Sequence, residues 1–226
     1  MQFKKAGSKI YLLGKRKNEL GASEYYRLHG HLGANVPQAD FAEAQKEIYT
    51  MVDAISAGLV CAAHDISEGG LAVAVAEMAF GGWGQGKIGA EINLVSVPLG
   101  DAHSPDAKVA ASSDATALYS RKNFANIVKL FGETGGFVCE VPASKSKKFE
   151  ALCKKWQLTP YQIGRTTTAS KLIFQNYTKA GTAPGGGTGM GAAAGGASKA
   201  HKLNSLIDLK LSVSADRWLN GLRKKL

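Results

Sequence analysis

The residues with the most chemical potential are consecutive: His64-Asp65-Ile66-Ser67-Glu68-Gly69-Gly70. They follow a short apolar run, Leu59 to Ala63, and precede a second one, Leu71 to Phe80. A carboxylate at the carboxyl end of a strand, beside a helix N-terminus whose free N–H groups attract anions, is a workable seat for Mg²⁺ or a phosphate-bearing ligand. The plainer alternative stays open: Asp65 or Ser67 caps the helix, Gly69-Gly70 permit close packing, and His64 is a hydrogen-bonded structural histidine. Two other glycine patterns do not carry chemistry. Gly84-Gln85-Gly86-Lys87-Ile88-Gly89 has the letters of a dinucleotide fingerprint, yet it leaves a helix and enters a strand, the reverse of the required order. The tract from Ala180 to Ala197 is not closed by the Gly-Lys-Ser/Thr of a phosphate loop.

The elements that must position these residues follow from periodicity. Lys9 to Gly14 reads as a buried strand running into a loop that opens with a basic cluster. Asp40 to Gly58 reads as a helix, with Asp40 as N-cap, Gly58 as stop and Phe41, Ala44, Ile48, Met51, Val52 and Ile55 at three- and four-residue spacing. Leu59–Ala63 is expected as a strand. Leu71–Phe80 is expected as a helix so apolar that it must be covered on most sides. Strands are expected at Ile88–Val97, at Phe137–Val141, from Gln162 onward and at Leu172–Tyr177. An amphipathic basic helix is expected at Ser144–Trp156; Asp101–Ser113, polar and carrying a proline, reads as a loop or ragged helix, and the segment Lys122–Phe131 follows it.

Eight glycines and six alanines occupy the eighteen residues from Ala180 to Ala197, without a charge. Such a segment offers too little burial to offset its ordering entropy and is expected to act as a tether. Alternation resumes after it, so the simplest placement is a long connection between paired strands Leu172–Tyr177 and Leu206–Leu211, followed by a terminal helix, Ser214–Leu222, holding Trp218. The fold expected is α/β (α+β), a three-layer sandwich of helices on a mixed β-sheet, with one domain over residues 1–226 and a flexible insertion at about 180–199.

The chain has 226 residues and a formal charge of +10, from 28 basic and 18 acidic residues. That excess is uneven: residues 1–142 carry a net −2 and residues 143–226 a net +12. Clustered lysines invite a nucleic-acid reading. Lys145, Lys147, Lys148, Lys154 and Lys155, however, fall on a helical face, where lysines are ordinarily solvated, and no nucleic-acid-binding motif accompanies them. Cys61, Cys139 and Cys153 are scattered, with no paired ligand spacing, so neither a zinc site nor a disulfide framework is indicated. Cys61 and Cys139 read as small buried hydrophobes. No apolar stretch reaches membrane-spanning length, and a cytoplasmic location is expected.

Several segments together resemble a known family. Gly14, Glu19-Leu20-Gly21-Ala22-Ser23-Glu24-Tyr25-Tyr26, Pro37, Gly58-Leu59-Val60, His64 to Ala72, Glu77-Met78-Ala79 and Gly89-Ala90-Glu91-Ile92 are similar, in order, to the C-terminal ligand-binding domain of the aminoimidazole ribonucleotide (AIR) synthase superfamily. The resemblance runs from about Ile10 to Ile173, resumes at Leu206 to Trp218, and is strongest to the second such domain of the phosphoribosylformylglycinamidine (FGAM) synthase branch. It implies part of an ATP-dependent ligase that converts formylglycinamide ribonucleotide to its amidine in purine biosynthesis, with ammonia from a glutaminase subunit or domain. It also implies that Mg²⁺ and ATP or ADP are held mainly by N-terminal-type synthase domains outside this sequence, without which the chain is not catalytically competent. By position, Asp65 would face the metal, and Ser23, Ser67 and Glu133 would lie close to nucleotide or substrate. No residue of this chain is assigned as catalytic.

Two features depart from the family pattern, one of them the Gly/Ala tract, which stands where the family has a shorter connection. Leu130 to Phe137 resembles the family's Phe-Ser-Glu-Ser-x-Gly-Arg stretch but lacks the arginine, and with it a phosphate-pairing guanidinium. A non-catalytic nucleotide-binding or scaffolding module derived from the same domain is therefore the alternative, and a nucleic-acid-associated protein a third, weaker class.

Overall fold

The computed structural model describes residues 1–81, 88–100, 115–176 and 205–213. The Gly/Ala tract, the expected terminal helix with Trp218, the Asp101–Ser113 stretch and most of the Gly84–Gly89 pattern lie outside them. Seven strands form one mixed sheet: β1 (Lys9–Leu13), β2 (Ala62–Asp65), β3 (Gly89–Asn93), β4 (Phe137–Val141), β5 (Tyr161–Thr167), β6 (Lys171–Gln175) and β7 (Ser205–Lys210), in the spatial order β2-β4-β1-β5-β3-β6-β7. Only β3 and β6 run parallel; the other neighbours are antiparallel. Among the described residues five α-helices accompany them: α1 (Glu24–Leu28), α2 (Phe41–Ser56), α3 (Gly70–Phe80), α4 (Ala115–Phe131) and α5 (Ser146–Lys155).

Strand β1 shows how the layers arise. Its side chains alternate across the pleat, so Ile10 and Leu12 join the core beneath α3, while Tyr11 and Leu13 join the core beneath α2 and α5. Both sets are fully buried, which accounts for the unbroken apolar run. The result is helices on both faces of a mixed sheet, the three-layer arrangement read from the sequence. β6 and β7 pair antiparallel, as expected of the strands flanking the Gly/Ala tract. Helix α3 buries Leu71, Ala72, Ala74, Val75, Met78 and Ala79, matching its almost wholly apolar sequence.

Three expectations are corrected. β2 begins at Ala62 rather than Leu59, because the Leu59 amide closes α2 on the Ala54 carbonyl and the ladder with β4 starts at Ala62 opposite Glu140. His64 and Asp65 therefore end the strand instead of following it. Cys61 is exposed, since it sits in the bend before this edge strand, whereas Cys139 and Cys153 are buried. Helix α2 keeps its Asp40 cap, which accepts from the Ala42 and Glu43 amides at 3.0 Å. Yet it buries Glu47, Thr50, Met51 and Ala54 and turns Phe41, Ile48, Val52 and Ile55 outward.

Candidate functional site

Three loops converge at the ends of β1, β2 and β4. Glu133 joins them: its Oε1 accepts from the Gly69 amide at 2.8 Å and from the Glu24 amide at 2.9 Å. The turn before α3, the turn before α1 and the loop before β4 thus share one carboxylate. Charge-assisted bonds of this kind are roughly twice as strong as neutral ones.

Each sequence-derived site residue has a definite place in this arrangement. Asp65 ends β2 opposite Phe137, with its side chain 64% exposed. Ser67 is exposed, and its carbonyl accepts from the Gly70 amide at 3.0 Å. Ser23 is fully buried as the N-cap of α1; its hydroxyl donates to the Leu20 carbonyl at 2.6 Å and accepts from the Tyr26 amide at 3.3 Å. Glu133 is occupied in bridging. Asp65, Ser67 and the neighbouring Glu68 are therefore the groups that face solvent.

His64 is buried and held from both sides. Its Nδ1 lies 2.7 Å from the Asp65 carbonyl, which can only accept, so Nδ1 carries the donated proton. Its Nε2 lies 2.9 Å from Glu77 Oε2 on α3. This ring fixes the end of β2 to α3 and is not presented to solvent.

The N-terminus of α3 differs from an open anion seat. No side chain caps it, and the Gly69 and Gly70 amides already have acceptors in Glu133 and Ser67. Gly70 adopts φ +68°, and a Cβ there would stand 2.8 Å from the Leu130 and Gly132 carbonyls, so the helix end packs directly on backbone. What faces outward is acidic, Asp65 with Glu68. Among the described residues no group of three or more His, Cys, Asp or Glu forms a metal cage. An exposed single carboxylate suits Mg²⁺, which typically retains waters and takes one or two carboxylates together with phosphate oxygens. The residues present therefore fit a shared metal rather than one enclosed by this chain.

Behind the loops lies a buried charge cluster that sequence reasoning missed. Arg16 is fully buried, and its Nη1 and Nη2 donate to the Thr134 and Gly135 carbonyls, immediately after Glu133. Its backbone is also held: the amide donates to the Pro98 carbonyl at 3.0 Å and the Arg16 carbonyl accepts from Gly100 at 2.8 Å. Burial lowers its pKa to about 10, against the pull of Glu47, Glu43 and Glu19. Glu47 is raised to about 7, first by burial and then by Glu43, with Arg16 and Lys17 opposing. Glu19 Oε2 accepts from the Thr134 hydroxyl at 3.3 Å. A guanidinium does reach the Glu133 loop, but from behind it. In the sequence Arg16 sits between Lys15 and Lys17, where it is indistinguishable from a solvated basic turn.

Comparisons with known proteins bear on the family and the fold. Residues 5–175 match the model of the AIR synthase related protein, C-terminal domain. A phosphoribosylformylglycinamidine synthase subunit PurL of Methanothrix thermoacetophila is 36% identical over 169 residues, covering 74% of this chain and 18% of that protein. Its counterpart in Symbiobacterium thermophilum is 53% identical over 78 residues, covering 34% and 10%. The chain thus spans less than a fifth of these relatives' length. Among solved structures, Thermotoga maritima PurL complexed with FGAR matches the fold with a TM-score of 0.59 at 15% identity, over 95% of this chain and 29% of that one. No helix among the described residues is long and apolar enough to cross a membrane. With three quarters of its length matched in order and the motif loops knitted together by Glu133, the chain belongs to the AIR synthase related C-terminal domain family.

Proposed function

We propose that this chain is the second C-terminal-type domain of an FGAM synthase, or a separately encoded piece of one, spanning residues 1–226 as a single domain and working in the cytoplasm with N-terminal-type synthase domains and a glutaminase. The observation that carries the proposal is the Glu133 bridge. It gathers the Ser23, Ser67 and Glu133 segments and leaves Asp65 exposed at their edge. In this reading Asp65 offers one carboxylate to Mg²⁺ on an ATP or ADP held by the neighbouring domain. The metal would neutralise phosphate charge there.

The chain's own residues act by positioning. Glu133 fixes the two turns, Arg16 fixes the Glu133 loop, and His64 with Glu77 fixes the end of β2 that carries Asp65. Ser67 stands beside Asp65 as a donor for a phosphate or ribose oxygen. Ser23, whose hydroxyl is committed to Leu20, shapes the turn rather than contacting ligand.

A specific observation also favours the second reading, a non-catalytic module. The Glu133 loop has no arginine of its own, and Arg16 is turned to the loop's backbone. One experiment separates the two. The chain is combined with the N-terminal-type domains and glutaminase of a relative, and ATP-dependent amidination of formylglycinamide ribonucleotide is measured for wild type and Asp65→Ala. Restored activity that falls at least roughly tenfold in the variant supports the ligase reading. Absence of activity with every partner refutes it. Mg-ADP titration of the assembled complex then tests the module reading, which fails if Asp65→Ala binds as tightly as wild type.

A further inference from the structure

A groove between α2 and α5 is lined by side chains of three chemical kinds, each present twice. Its volume is about 280 Å³, and it is bounded by Gln45, Lys46 and Tyr49 of α2 and by Lys155, Trp156 and Gln157 at the end of α5. The two rings stack on each other, with centroids 5.4 Å apart and planes at 27°. Trp156 is held in place by its Nε1, which donates to Asp53 Oδ2 at 2.9 Å, while Tyr49 is 46% exposed. The result is a fixed aromatic wall that reaches solvent, a stacking platform for a planar ring.

Charge says what else the ligand carries. Among the described residues neither Lys46 nor Lys155 belongs to an ion pair, and no carboxylate lines the groove. α5 adds Lys147, Lys148 and Lys154, and its one acid, Glu150, is taken up by the Tyr11 hydroxyl and by Lys9. Lysines in the last turn of α5 also suit its helix dipole, but Lys46 stands inside another helix and has no such reason to be there. Unopposed ammonium groups beside an aromatic wall select a ring that carries an anion.

The carboxamides supply the third property. Gln45 and Gln157 each offer donors and an acceptor, which is what the edge of a nucleobase requires. Gln157 has φ +55° and stands where the chain turns out of α5: its amide donates to the Lys154 carbonyl and the Leu158 amide to the Cys153 carbonyl, both at 2.9 Å. Glycine is the usual occupant of that position. The side chain kept there against the backbone's preference is one that lines the groove.

Size narrows the choice further. Enclosed small-molecule sites usually run to roughly 300–1,000 Å³, so this open groove admits one base and leaves the phosphate at its rim, beside the ammonium groups. A polynucleotide is held by successive stacking platforms. α5 offers none beyond Trp156, because Phe149 is buried.

We propose that the groove between α2 and α5 binds a free nucleoside phosphate, with its base against Tyr49 and Trp156 and its phosphate on Lys46 and Lys155. The groove shares no residue with the loops around Asp65 and does not depend on their serving a ligase.

The test titrates the full 226-residue chain with AMP by isothermal calorimetry, in EDTA so that no Mg²⁺-dependent site contributes. AMP binds with a Kd of roughly 10–500 µM, and adenosine or inorganic phosphate alone binds at least about tenfold more weakly. Lys46→Glu combined with Lys155→Glu, both at solvent-accessible positions, weakens AMP at least about tenfold. Tyr49→Ala weakens it roughly 5- to 50-fold, whereas Trp156→Phe, which keeps a ring, stays within about threefold of wild type. An unchanged circular dichroism spectrum shows that each variant is folded. No binding up to about 5 mM AMP overturns the proposal, as does a wild-type affinity in the double lysine variant. Loss of AMP binding in Asp65→Ala moves the ligand to the sheet edge and overturns it too. So does an oligoribonucleotide that binds more than about tenfold tighter than AMP, which makes the groove part of a nucleic-acid surface.

Discussion

Glu47 is a carboxyl group built into the buried side of helix α2, and its cost should be visible in how stability depends on pH. It is almost wholly buried, its Oε1 lies where a Cβ on Gly14 would come within 2.6 Å, and its pKa is raised from the usual 4.5 to about 7. Burial is the main cause; Glu43 and Asp40 add to it, and Arg16 and Lys17 oppose it. A raised folded-state pKa means that the folded chain binds this proton more tightly than the unfolded chain. The stabilising contribution of the protonated group is fully present below about pH 4.5 and is lost as pH rises through about 7. A shift of roughly 2.5 units at 1.36 kcal/mol each amounts to about 3 kcal/mol. Glu47→Gln keeps the shape and removes the titration. Urea unfolding followed by circular dichroism, from about pH 4.5 to about pH 8, should therefore show the variant gaining on wild type by about 3 kcal/mol across the window, most of it between pH 5 and 7. Arg16, with a pKa of about 10, stays charged throughout and contributes no slope. A difference between the two proteins that is flat in pH, or that favours wild type as pH rises, refutes the placement of Glu47 in a desolvated site.

Substitutions at three further positions probe the loops and the α2–α5 contact. Gly70→Ala forces a side chain into φ +68° and against the Leu130 and Gly132 carbonyls, and should lower unfolding free energy by at least about 2 kcal/mol in the same urea assay. Glu133→Ala leaves the Glu24 and Gly69 amides without their acceptor and should cost about 2–3 kcal/mol, with faster hydrogen exchange at those two amides; Glu133→Gln, which keeps an acceptor oxygen, should retain most of the protection. Trp156→Phe preserves stacking on Tyr49 but loses the Nε1 donor to Asp53 Oδ2, for an expected loss of about 1 kcal/mol.

Which parts of this fold the sequence could disclose depended on whether a residue's neighbours were local. β1 and α3 were legible because burial on nearly every side leaves almost no polar residue to interrupt the run, and α2 was legible because Asp40 and a 3.6-residue period are features of the helix itself. The β6–β7 pairing followed from two apolar segments flanking a tract too poor in side chains to build an element. The start of β2 was not legible. Leu59 is apolar in either role, and only the bond from its amide to Ala54 shows that it ends a helix. The face of α2 misleads for a related reason. Periodicity shows that a helix has an apolar stripe but not which side meets the sheet, and nothing local to α2 foretells that Glu47 is buried at a cost that the neighbouring Arg16 only partly offsets.

The same distinction governs the candidate site. Its motif residues could be found in the sequence because they are contiguous, but their division of labour could not, because it depends on which groups already have partners. Ser23 and Glu133 use their oxygens within the chain, and His64 uses both ring nitrogens. Asp65 and Ser67 remain exposed, one carboxylate and one hydroxyl at the edge of a sheet. Two such groups cannot surround a metal or enclose a nucleotide. In the function proposed above they complete a site whose remaining ligands come from a neighbouring domain. The buried Arg16 guanidinium, bonded to the Thr134 and Gly135 carbonyls, fits that arrangement. It stiffens the loop behind Glu133 without approaching solvent, so that the edge carrying Asp65 is preorganised before any neighbour arrives.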